Sequence, residues 1–108
     1  MKYVVIVNND VDQLKIEKQF IKNKHIEAEI LVFTDPFMAA KYICNNKVDR
    51  VYVDVDLKPV NGFEFLKVLR KNTLNVEVYL IADTNIYKED ALRESADGYI
   101  VRKDILGQ

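Results

Sequence analysis

Apolar positions along the chain alternate between two patterns. Short, nearly unbroken runs rich in Val, Ile and Tyr occupy residues 3–7, 30–33, 51–55, 76–82 and 99–101. Runs of this length and composition are the mark of strands buried on both faces. Between them lie longer mixed segments with helical spacing, at residues 12–24, 35–45, 62–71 and roughly 87–95. The predicted order is β-α-β-α-β-α-β-α-β.

Several boundaries carry their own chemistry. In Thr34-Asp35-Pro36, Asp35 is placed to cap a helix and Pro36 suits its first turn. Phe65, Leu66 and Leu69 form one stripe on the third helix. Ile16 and Phe20, flanked by Leu14 and Ile21, are expected to form another on the first. Repeated βαβ units with short loops require a parallel sheet with right-handed crossovers, whose functional groups gather at the carboxyl ends of the strands. Only Lys103 to Gln108 follow the last strand and Arg102, too few for a helix of ordinary length. The last helix is therefore expected to be short or missing. Apolar residues around the first and fifth strands would then lie exposed as a surface for self-association or docking, unless a following segment covers them.

The 108 residues, 49% hydrophobic and 31% charged, suit one soluble domain with a single core rather than a disordered or membrane-spanning chain. No linker or repeat divides residues 1–108. With 16 Lys+Arg against 17 Asp+Glu, no basic footprint for nucleic acid or a membrane surface is present. The single cysteine, Cys44, cannot form an internal disulfide, and the apolar run after Met1 is too short for a signal peptide, so a cytoplasmic location is expected. Cys44 reads as a small core or boundary residue, and the lone His25, at a lysine-flanked helix end, as a solvated one.

The third apolar run ends Val53-Asp54-Val55-Asp56-Leu57, followed by Lys58-Pro59-Val60-Asn61-Gly62 and an amphipathic segment. This resembles the central motif of the response-regulator receiver domain: an Asp closing the third strand, a Pro-containing loop, an Asn-Gly pair and a helix. Asp54 to Gly62 has the family spacing, with the proline one place later than usual, and Ala96-Asp97-Gly98-Tyr99-Ile100-Val101 resembles the approach to the family's fifth strand. The resemblance covers nearly the whole chain. It implies a flavodoxin-like (βα)5 fold with a five-stranded parallel sheet in the order 2-1-3-4-5. It also implies phosphoryl transfer to the position of Asp54 from a phosphohistidine or small phosphodonor, assisted by Mg²⁺.

The departures from that pattern matter as much as the match. The positions of the family's acidic pair are Asn8 and Asn9, neutral amides, so with Asp54 and Asp56 they imply at most a weakly bound Mg²⁺. Asp10, one residue on, is expected to cap the next helix or face solvent, the alternative being a substitute ligand. The position of the family's Thr or Ser is Ala82, which lacks the hydroxyl that reports phosphorylation; Thr84 would replace it only through a rearranged loop. The family's Lys corresponds to Arg102, or in another register to Lys103. Arg102 is a planar fork suited to pairing with Asp54. Tyr99 occupies the aromatic position of the family switch, and without a hydroxyl at 82 ordinary strand packing is the favoured reading.

These residues point to an atypical receiver, a signalling module rather than an enzyme, that works through protein partners. Those partners are a histidine kinase or phosphotransfer protein, an effector domain, or a second copy of the chain, with no direct contact to nucleic acid or membrane. The alternative is a receiver that accepts a phosphoryl group on Asp54 with a non-standard Mg²⁺ site. A flavin or nucleotide enzyme on the same architecture lacks support, because no glycine-rich phosphate loop or His/Cys metal cluster is present.

Overall fold

In the computed structural model, which describes residues 2–73 and 75–106, ten elements alternate along the chain. They are β1 (Tyr3–Val7), α1 (Val11–Lys24), β2 (Glu29–Phe33), α2 (Pro36–Asn45), β3 (Arg50–Asp54), α3 (Gly62–Asn72), β4 (Glu77–Ala82), α4 (Lys88–Arg93), β5 (Gly98–Val101) and α5 (Arg102–Leu106). All neighbouring strands pair in parallel, in the order β2-β1-β3-β4-β5. The chain reverses its direction of winding between β1 and β3, and the carboxyl ends of those strands form the crevice characteristic of such sheets.

Local sequence sets the helix starts. Asp10 caps α1 by accepting from the N–H groups of Asp12 and Gln13, and Asp35 caps α2 ahead of Pro36. Asn61 and Glu64 form a reciprocal capping box at α3. Gly62, the first residue of α3, lies against the end of β3: a Cβ on it would fall 2.6 Å from the Asp54 carbonyl oxygen and 2.9 Å from the Val55 Cα. Only glycine lets the helix begin this close to the strand.

Two apolar layers sandwich the sheet. One joins Val5, Val7, Val51 and Val53 to α2 and α3 through Ala39, Ile43, Phe65, Leu66 and Leu69. The other joins Val4, Ile6 and Tyr52 to α1 and α5 through Leu14, Ile21 and Ile105. The stripe expected on α3 is the buried one. On α1 the buried residues are instead Leu14, Glu17 and Ile21, and Ile16 is exposed. Spacing of 3 and 4 brings a charged residue onto the core face and turns an apolar one outward.

The last helix is short, as expected, but long enough to bury Ile105 against α1. Val4 and Ile6 are consequently covered, and the exposure anticipated around β1 does not occur; Ile100 and Tyr79 remain half-buried. Cys44 is exposed rather than a core or boundary residue, because Ala39 and Ile43 take the buried face of α2. His25 is likewise not a freely solvated side chain. It ends α1 half-buried, with Nε2 3.5 Å from the Arg50 guanidinium. Among the described residues no helix is long and apolar enough to cross a membrane.

Candidate functional site

Asp54 is the last residue of β3 and lies almost wholly within the protein. Arg102 follows the last residue of β5, two strands away, and points back across the ends of the sheet. Each of its three guanidinium nitrogens donates to a different carboxylate: Nη2 to Asp54 Oδ1 at 2.8 Å, Nη1 to Glu17 Oε2 at 2.5 Å, and Nε to Asp83 Oδ1 at 2.7 Å. One side chain thus ties α1, the end of β3 and the residue after β4 to the start of α5. The planar fork makes this possible, since a lysine offers one compact charge.

Exposure grades the three partners. Glu17 and Asp54 have side chains only 2% and 10% exposed, whereas that of Asp83 is 65% exposed. Burial pushes the Glu17 carboxyl above its ordinary value, against the opposing pull of the Asn8 amide and Arg102. Burial also raises Asp54, with Arg102 and the Asp56 N–H working in the other direction. For Arg102 burial opposes the charge, but the bond to Asp83 and the charges of Asp54 and Glu17 outweigh it and hold the guanidinium above the usual arginine value. The buried part carries two carboxylates and one guanidinium.

The two asparagines after β1 are committed to structural bonds. Asn8 is buried; its Nδ2 donates to Gln13 Oε1 at 2.9 Å and lies 3.3 and 3.4 Å from the two Glu17 carboxylate oxygens, while its Oδ1 accepts from the Asp10 N–H. Asn9 clasps two neighbouring loops: Nδ2 donates to the carbonyls of Thr34 and Lys58, and Oδ1 accepts from the Lys58 N–H at 2.8 Å. Asp10 is occupied as the α1 cap. Asp56 is exposed, and its backbone N–H, 3.5 Å from Asp54 Oδ1, faces that carboxylate.

This donor set does not fit a divalent cation held as the resemblance implies. Asp54, Glu17 and Asp83 converge on Arg102, and the amide oxygens of Asn8 and Asn9, the atoms that would ligate a hard cation, already accept from the N–H groups of Asp10 and Lys58. Among the described residues no group of three or more His, Cys, Asp or Glu side chains is arranged to hold a metal ion.

The positions for which the resemblance implies a switch are equally specific. Ala82 ends β4, is buried, and pairs with Val101. Thr84 does not reach back towards it, because its hydroxyl accepts from the Ile86 N–H within its own loop. The Tyr99 side chain is half-buried, and its hydroxyl donates to the Thr84 carbonyl. Lys103 is exposed, so Arg102 is the cation that meets Asp54.

Glu17 and Asp83 were not among the residues that the sequence pattern singled out. Glu17 lies three positions after Leu14 and four before Ile21, and a charged residue within that spacing is the available signal. Asp83 directly follows the fourth strand but offers no pattern that pairs it with position 102.

The fold and the Asp-centred strand ends define a receiver-type signalling domain. Residues 4–105 match the model of the response regulator receiver domain family, and the chain belongs to that family. Among curated proteins it is similar to the fimbriae Z protein of Escherichia coli K12, 24% identical over 99 residues, which covers 89% of this chain and 47% of that protein. It also resembles the heme response regulator HssR of Staphylococcus saprophyticus, at 27% identity over 104 residues, covering 94% and 45% respectively. The chain thus spans about half the length of these curated relatives. Solved structures with the same fold include a CheY-like receiver domain protein from Methanospirillum hungatei, with 20% identity, TM-score 0.82 and coverage of 99% of this chain and 89% of that one. Another is Thermotoga maritima TrrA in complex with Mg²⁺-BeF, with 22% identity, TM-score 0.78 and coverage of 94% and 86%.

Proposed function

We propose that the chain is an atypical receiver that acts as a protein-interaction module, with Asp54 masked by an internal cation rather than poised for phosphoryl transfer. The observation that supports this most directly is the Arg102 guanidinium, shared among Asp54, Glu17 and Asp83. An acceptor carboxylate must offer a free oxygen to the incoming phosphorus and tolerate added negative charge while the leaving group departs. Here one of the two Asp54 oxygens, Oδ1, is bonded to Arg102, whose charge is already shared with Glu17 and Asp83 and so is not free to offset that of an incoming phosphoryl group. Readout is weakened as well, because position 82 carries no hydroxyl and Tyr99 is bonded to the Thr84 carbonyl.

On this reading the domain is not an enzyme and holds no resident metal; signals pass through the proteins it binds in a cytoplasmic setting. Receiver domains engage kinases, phosphotransfer proteins and effector domains, and one of these, or a second copy of the chain, is the expected partner. Incubation with Mg²⁺ and a small phosphodonor, followed by intact mass, should show no added phosphoryl group. An amide spectrum should also remain unchanged on addition of Mg²⁺ with beryllofluoride, the combination held by Thermotoga maritima TrrA in its complex. A gain of one phosphoryl that disappears in Asp54→Asn would overturn the proposal and favour a phosphorylatable receiver.

A further inference from the structure

We infer that Glu17 is a positioning residue that holds the Arg102 guanidinium on Asp54, and that the Asn8 amide makes a carboxylate tolerable at position 17. This rests on the masked-acceptor reading and names what maintains the mask.

The face that α1 turns to the sheet consists of Leu14, Glu17 and Ile21, and Glu17 is as deeply buried as its apolar neighbours. Leucine or methionine would occupy that place without a charge to desolvate, so packing alone gives no reason for glutamate. Its carboxylate has two partners, Arg102 Nη1 and Asn8 Nδ2. An ionised aspartate at position 8 would have no hydrogen to donate and would set a second negative charge against Glu17. The amide at position 8 and the arginine fork at position 102 therefore belong to one arrangement with Glu17 at its centre. Two departures from the family pattern thereby share a single physical cause.

The geometry also gives Glu17 a share of the mask that Asp83 does not carry. Asp83 is largely in water, where its attraction for Arg102 is screened. Without Glu17, Nη1 would lose its buried partner, and the remaining bonds would pull the guanidinium between buried Asp54 and solvated Asp83. Asp54 would then be covered for only part of the time.

Nitrogen-15 NMR of the Arg102 side chain in the full chain tests this without metal or phosphodonor. In the wild type the Arg102 Nη hydrogens should be resolved and exchange slowly with water. In Glu17→Leu the Nη2 hydrogens, which face Asp54 and not position 17, should exchange about tenfold faster or more, the factor expected from losing one charge-assisted hydrogen bond. Glu17→Gln retains the shape and one acceptor oxygen and should fall between the two, with a native amide spectrum checking the fold of each variant. Nη2 exchange at the wild-type rate in Glu17→Leu would show that Asp54 keeps the guanidinium without Glu17 and overturn the proposal. As a second arm, Asn8→Asp should destabilise the protein, and Glu17→Gln in the same chain should relieve much of that loss; strictly additive effects would count against the coupling. A wild-type chain that accepted a phosphoryl group on Asp54 would overturn the masked-acceptor reading instead, leaving these two measurements to decide the role of Glu17.

Discussion

Nη2 of Arg102 donates to Oδ1 of Asp54 across 2.8 Å, joining the start of the last helix to the end of the third strand. Both side chains are about nine-tenths buried, so neither has water as a ready substitute for the other. The pair and its neighbours lead to four predictions.

Arg102→Met should leave Glu17 and Asp54 as buried carboxylates without a cation, at a cost of about 3–5 kcal/mol at neutral pH. Urea denaturation measures the loss. It should shrink as pH falls, because protonation removes the uncompensated charge. A loss that stayed constant from neutral pH into acid would mean that Arg102 stabilises through its alkyl stem instead.

The pH dependence of the wild type has two components of opposite sign. Burial first, then the cations Arg50, Lys2 and Lys24, lowers the His25 value. Its contribution to stability is therefore present above the ordinary value of 6.5 and lost as pH falls through that value towards the folded-state one. Glu17 and Asp54 are raised, so their contribution is fully present below their ordinary values of 4.5 and 3.8 and lost as pH rises through the folded-state values. Comparing wild type with His25→Gln by chemical denaturation isolates the histidine part: between about pH 7 and pH 5 the wild type should lose stability relative to the variant. Parallel curves would exclude His25 as a source of acid sensitivity.

Asn9→Ala removes three hydrogen bonds that clasp the loops after β1, β2 and β3. Because the site is exposed to water, the expected loss is about 1–2 kcal/mol. Asn9→Asp should be at least as damaging, since it keeps the acceptor for the Lys58 N–H but turns a negative charge on the carbonyls of Thr34 and Lys58. Thermal melts compare the variants, and an Asn9→Asp protein more stable than Asn9→Ala would show that the donors matter little.

Gly62→Ala should cost about 1–3 kcal/mol and displace the loop after Asp54, because the new methyl would meet rigid backbone at Asp54 and Val55. Amide shifts at Asp54, Val55 and Asp56 would report the movement. An alanine variant with native shifts and stability would show that the α3 start has room to adjust.

Much of the fold was legible because periodicity and local chemistry agree. The strand runs, Asp35 with Pro36, and the Phe65–Leu66–Leu69 stripe each depend on near neighbours, and each lies where its pattern places it. The α1 stripe was misread at Ile16, which is as apolar as Leu14, Phe20 and Ile21, because only packing against β1 and α5 decides which side of the helix is covered. A short last helix was foreseen, and α5 is short. Its sufficiency to cover Val4 and Ile6 was not, because that depends on where Ile105 lands.

By itself, the sequence determined the alternation of strands and helices, an Asp at the end of the third strand, the amides at Asn8 and Asn9, an alanine without a hydroxyl at position 82 and a forked cation at Arg102. These are identities and spacings, which a chain carries before it folds. Tertiary structure alone decided that Glu17, Asp54 and Asp83 would converge on that cation, although they lie 85, 48 and 19 residues from it. Parallel strands bring their carboxyl ends to one edge of the sheet, so residues remote in sequence become neighbours there. Burial of Glu17 and Asp54 then makes their pairing with Arg102 decisive, because an unpaired charge withdrawn from water has no other way to be stabilised.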